Sequence, residues 1–229
     1  MKITKNIAKK VLSIVDQGLS NGVGKPNGDN PSCVSPVLRS FKIALNDKGW
    51  SSNAARAKGL RRIAIAQLGT RDTLDEQEFI KRLAILTVKK TVPAAIRLVA
   101  EKAPEPHKEK MLAAALRCEQ EGTREAAINA NKIVKDHYYA AYAAANADAA
   151  AAAAYAAAAA TYAAYAADAA AAAYAAAYAA AADAAAANAA NAADAADARD
   201  KVLAEYAEDV VQILIELKTP GSKYLSLTE

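Results

Sequence analysis

Between Ala140 and Ala198 the chain carries 44 alanines in 59 positions and no Leu, Ile, Val, Met or Phe. Alanine is the strongest helix former and buries very little, so the tract must be helical yet cannot build a large core alone. A core has to come from the first 135 residues and the last 30. One uninterrupted helix would run about 88 Å at 1.5 Å per residue. The other side chains of the tract argue against such a rod. Asp148, Tyr155, Tyr162 and Asp168 share one angular sector, Tyr174 and Tyr178 point elsewhere, and Asn188, Asn191, Asp194 and Asp197 form a polar stripe. This drift predicts two or three helices of about 18–25 residues packed closely through alanine faces. Their turns are expected near Asn146, Asp168 and Asp183. The same polar residues exclude a membrane span, since burying each in hydrocarbon costs several kcal/mol.

Elsewhere, helical spacing and strong punctuation recur. Ile3, Ile7, Val11, Ile14 and Val15 predict an amphipathic first helix, ending among Gly18, Gly22 and Gly24. Residues 21–35 (NGVGKPNGDNPSCVS) read as a loop. Ser35-Pro36 reads as an N-cap followed by Pro at the first helical position, and Ser51 or Ser52 as the next cap. Thr73 with Glu76 has capping-box spacing. Thr91-Val92-Pro93 is expected to restart the chain, and Pro104 with Pro106 to stop it again. Gly122 ends a helix that Thr123 then follows with a new cap. Large apolar residues return from Val202 to Leu217, a final helix expected to close on the N-terminal core. Tyr224, Leu225 and Leu227 form an apolar tail suited to a groove. No stretch alternates as a strand would. The expected fold is an all-α multi-helix bundle: a basic helical region, 1–135, packed as one domain with an acidic alanine/tyrosine-rich region, 136–229.

The net charge of +4 conceals a strong asymmetry. Residues 1–135 hold 25 Lys/Arg against 13 Asp/Glu, and residues 136–229 hold 4 against 12. Such a separation either draws the two halves, or two subunits, together, or steers an anionic partner to one end. Ile7 to Val15 is broken by Lys9 and Lys10, and no small-residue cleavage site follows. No signal peptide is expected, and the expected location is the cytoplasm.

Few residues invite chemistry. His107 and His137, the only histidines, lie thirty residues apart with no nearby cysteine, so no metal is expected; nor is a cofactor. Cys33, in a Gly/Pro-rich loop just before a helix, is a candidate nucleophile that would need His107 or His137 as its base. Cys118 reads as a small core residue. Gly22-Val23-Gly24-Lys25 lacks the full phosphate-loop pattern and its preceding strand. The better candidates are cations at helical spacing. Arg39 and Lys42, with Arg61 and Arg62, are expected to neutralise a phosphate or carboxylate, and Trp50 with Tyr138 or Tyr142 to stack on an aromatic ligand. Both Trp50 and the tyrosines also suit packing roles. The expected partner is an anionic small molecule or nucleotide, or an acidic protein, bound by a non-enzymatic homo-oligomer. Extended nucleic acid is opposed by the acidic half.

Two blocks carry a resemblance. PSCVSPVLRSFKIALNDKGWSS, residues 31–52, and ARAKGLRRIAIAQLGT, residues 55–70, resemble an uncharacterised family of bacterial and phage proteins. The stretch from Lys81 through the alanine tract to ELKTPGSKYLSLTE is similar to alanine-rich helical proteins, some of which carry the label immunity protein. The resemblance implies an inhibitory partner in conflict between bacteria, or between phage and host, and no particular chemistry. It also implies a longer segment, with a further cysteine, between the positions of Gly24 and Pro26. That segment is missing in this chain; if it holds a catalytic group in relatives, the resemblance implies a binding or structural version here.

Overall fold

A computed structural model describes residues 3–21, 32–47, 50–143, 147–164 and 192–229. Every regular element among these residues is helical. The expected turns at Asn146, Asp168 and Asp183, the positions of Tyr174 and Tyr178, and the loop motif at 22–25 lie outside the described residues.

Three of the first four helices begin at a side-chain cap. α1 spans Lys5–Asn21, running past Gly18. α2, Pro36–Asn46, starts at Ser35, whose hydroxyl accepts from Leu38 N–H while Pro36 takes a first-turn position that needs no donor. α3, Asn53–Ala66, is capped by Ser52, which accepts from Ala55 N–H at 3.1 Å. α4, Glu76–Leu86, differs from the expectation. Asp75 is its cap, accepting from Glu78 N–H, whereas the Thr73 hydroxyl donates to Gly69 carbonyl oxygen. Glu76 is therefore free of the capping box, and its carboxylate accepts instead from the Ser35 hydroxyl, tying α4 to the start of α2.

The chain does not break at Pro93. A π turn, Thr87–Thr91, carries α4 directly into α5, Val92–Lys102. Pro93 has no N–H to donate and its ring crowds the carbonyl four residues back, so the helix widens ahead of it. Val92 N–H reaches Thr87 carbonyl oxygen, five residues back. α6, His107–Glu121, follows Pro104 and Pro106 and ends at Gly122, whose φ of 63° is the left-handed conformation glycine adopts without a Cβ penalty. α7, Arg124–Ala143, begins with Thr123 accepting from Ala126 N–H.

α8, Ala147–Ala164, packs back along α7. Asn131 Nδ2 donates to Ala157 carbonyl oxygen and to Thr161 Oγ1, groups that a straight rod would hold about 39 and about 45 Å from it. The two helices are therefore antiparallel, and α7 does not run on as one rod through the tract. The buried positions of α8 among its described side chains are Ala153, Ala156, Ala157, Ala159 and Ala160. α9, Ala192–Glu216, packs on α3 and α4, so the C-terminal helix does contact the N-terminal helices. A 3₁₀ segment, Pro220–Thr228, then closes over α3 and α1.

Two apolar clusters result. The first gathers α1 to α4 with α9 and the 3₁₀ segment, around the fully buried Leu38, Phe41, Leu45, Phe79, Leu83, Leu203 and Leu214. The second gathers α5 to α8 around Ile96, Met111, Cys118, Val134 and the α8 alanines. The clusters thus partition the chain near Thr87 and again before Leu203, whereas charge divides it at 135. Thr87 lies at the join: its hydroxyl donates back to Leu83 carbonyl oxygen and sits 2.6 Å from Tyr206 Oη. Burial raises the Tyr206 phenol far above its ordinary value, so it stays neutral.

Candidate anion-binding cleft

Of the four expected ligand cations, one lines a cleft, one lies a turn away from it and two are paired elsewhere. Lys42 on α2 lines a cleft of about 170 Å³ between α1, α2 and α3, together with Arg56, Asn46 and Asn53. Its apolar lining comes from Ile14, Leu60 and Ile63. Arg56 Nη2 donates to Asn53 Oδ1 at 2.9 Å, which orients the guanidinium. Arg39 lies one turn before Lys42, so it shares that side of α2. Neither Arg39 nor Lys42 makes an ion pair among the described residues. Arg56 stands outside the expected set of Arg39, Lys42, Arg61 and Arg62. Its role follows from the α2–α3 crossing, which spacing along one helix does not reveal.

Arg61 and Arg62 are committed elsewhere. Arg61 Nε is 3.1 Å from Asp16 Oδ1, and another of its nitrogens donates to Thr228 carbonyl oxygen, so it ties α1 and the chain end to α3. Arg62 Nε is 2.8 Å from Glu208 Oε2 on α9. Arg82–Glu216 and Lys90–Asp209 repeat that pattern, and Asp200 accepts from Ser51 N–H. Part of the charge asymmetry is thus matched inside the fold.

Trp50 is half-buried against the first cluster, and its Nε1 donates to Leu45 carbonyl oxygen at 3.1 Å. A Cβ on Gly59 would lie 2.6 Å from the indole ring, so the ring rests directly on α3 at that glycine. Trp50 locks the α2–α3 junction that shapes the cleft. Tyr138 packs against the second cluster on α7, with its ring 5.1 Å from that of the exposed Tyr139. It belongs to a different cluster from Lys42. The side chain of Tyr142 lies outside the described residues.

Cys33 is buried beneath a second cleft, of about 420 Å³, that Arg71, Asp72, Thr73, Lys223 and Tyr224 also line. No histidine is among its described lining residues. His107 and His137 instead face each other in the α6–α7 layer, 5.3 Å between ring centroids. Burial, then the charge of His107, holds His137 below the usual histidine range. No group of three or more His, Cys, Asp or Glu side chains suited to a metal gathers among the described residues. No described helix is long and apolar enough to cross a membrane.

Comparison with family models, curated proteins and solved structures finds no match.

Proposed function

We propose that the chain is a non-enzymatic binding protein that sequesters a small anionic ligand in the cleft between α1, α2 and α3. The observation that carries this reading is a pair of cations, Lys42 and Arg56, on the rim of an apolar-lined cleft. An ammonium and an oriented guanidinium match a phosphate or carboxylate, and Ile14, Leu60 and Ile63 match a short apolar group attached to it. A space of about 170 Å³ takes the anionic end of a signalling nucleotide or a small carboxylate. Arg39 extends the positive field outward from Lys42. Arg61, Arg62 and Trp50 act on this site by holding α3 in position, through Asp16, Glu208 and Leu45. In the setting the family resemblance implies, removal of such a ligand would serve conflict between phage and bacterium.

A second reading is a structural or interaction module, oligomeric or bound to an acidic protein, in which the charge asymmetry serves assembly. The Arg62–Glu208, Arg82–Glu216 and Lys90–Asp209 pairs favour it, since they use that asymmetry within one fold.

Native mass spectrometry of freshly purified protein, before and after denaturation, separates the two. Sequestration expects a small anion released on denaturation, and its loss from a folded Lys42→Ala/Arg56→Ala variant. A bare oligomer, with no phosphate or hexanoate binding by calorimetry, would favour the module. Equal retention by the double variant would sink the cleft assignment.

A further inference from the structure

His107 opens α6 and His137 lies on α7, so the packing of these helices brings the chain's only two histidines together. Their ring centroids are 5.3 Å apart with an interplanar angle of 51°. His137 is 3% exposed, and among the described residues neither of its ring nitrogens has a hydrogen-bond partner. That is an anomaly, because a buried polar atom without a partner loses its water and gains nothing in return. One helical turn away, the packed residues are Met111, Val134 and Ala141, all apolar and buried. His107 is half-buried, which leaves the pair reachable from solvent.

The separation of the rings has a chemical counterpart. Two imidazoles sharing a tetrahedral ion at about 2.0–2.1 Å from each nitrogen have ring centres about 5.2 Å apart, since each centre lies about 1.15 Å behind its nitrogen. The positive end of α6 opposes a cation at His107, and Glu105 offsets this, its carboxylate accepting from Glu109 N–H at that end of the helix. We propose that His107 and His137 supply two nitrogen ligands to a borderline transition-metal dication such as Zn²⁺, with its remaining positions open to water or a small ligand. Neutral imidazole suits Zn²⁺, Ni²⁺ and Cu²⁺, and a two-nitrogen site with open positions binds reversibly. This site lies in the second cluster, and it stands or falls independently of the Lys42 cleft.

The test uses untagged full-length protein stripped with a chelator and titrated with Zn²⁺. One ion per chain and a raised melting temperature are expected. With Cu²⁺, electron paramagnetic resonance is expected to show hyperfine coupling to two imidazole nitrogens. Loss of even an outer partner of a metal ligand costs about 10–100-fold, so His107→Gln should weaken Zn²⁺ binding at least that much. His107 is the half-buried member, and circular dichroism checks that this variant folds. No uptake by the native protein, or unchanged affinity in folded His107→Gln, overturns the proposal. Should His107→Gln not fold, the native Cu²⁺ spectrum decides alone: a spectrum without imidazole nitrogen coupling overturns it equally.

Discussion

At the scale of single residues, burial governs behaviour more than residue type does. Cys33 and Cys118 are both buried free thiols, but they sit in different surroundings. Cys118 lies inside the second cluster, where burial, with Glu121 nearby, pushes its thiol up from 9.0 to about 11. Between those values the folded chain keeps a proton that the unfolded chain has released. Stability must therefore fall as pH rises through that window, by at most about 1.4 kcal/mol per pH unit from this group. Urea denaturation at pH 8, 9, 10 and 11 should show the stability gap between the parent protein and Cys118→Ala shrinking above pH 9. A constant gap would mean the thiol is not held protonated by the fold. The same pressure acts on His137 with the opposite shift: burial disfavours its charged form and lowers its pKa.

At the scale of elements, capping residues do more than begin helices. Ser35 is 1% exposed and makes three connections: its hydroxyl accepts from Leu38 N–H and donates to Glu76, and its N–H donates to Thr70 Oγ1. Removing the hydroxyl deprives α2 of its cap and leaves the Glu76 carboxylate short of a donor. Ser35→Ala should therefore cost about 2–3 kcal/mol, from the cap and the charge-assisted bond together. Denaturant titration measures this, and a loss below about 0.5 kcal/mol would show that Glu76 finds a substitute donor. Capping is also the level at which sequence reasoning succeeded most directly. Ser35, Ser52, Thr123 and Gly122 were legible because a cap depends on residues three or four positions away. Thr73 with Glu76 was misread because Asp75, two residues further on, offers a carboxylate to the same helix start. Pro93 reads locally as a break, yet the surrounding layers keep the helix running and a π turn absorbs the missing donor.

At the scale of the whole molecule, the chain end closes the first cluster. Thr219 Oγ1 donates to Ala66 carbonyl oxygen, and Tyr224 Oη donates to Ile3 carbonyl oxygen. Between them Gly221 passes so near α3 that a Cβ there would lie 2.1 Å from Ile65 carbonyl oxygen and 2.9 Å from Ala66 carbonyl oxygen. Those are backbone atoms, which cannot rotate aside as a side chain would. Gly221→Ala should lift the 3₁₀ segment, costing about 1–3 kcal/mol and exposing Leu225. Limited proteolysis should then remove the last residues faster than in the parent protein. An unchanged cleavage rate would mean that the segment can move outward at little cost.

The all-α class, most helix starts and the return of a core-forming helix at the C-terminus were set by the sequence itself. Each rests on interactions within a few positions, or on apolar periodicity that one helix carries alone. Tertiary structure decided which cations remain available. Arg61 and Arg62 are indistinguishable from Lys42 as sequence, but their partners Asp16 and Glu208 lie 45 and 146 residues away. It also decided that Arg56 joins Lys42 at one cleft, that Tyr138 belongs to another cluster, and that the two histidines meet. Such encounters depend on how separate helices cross, and the spacing within a single helix carries no information about that crossing.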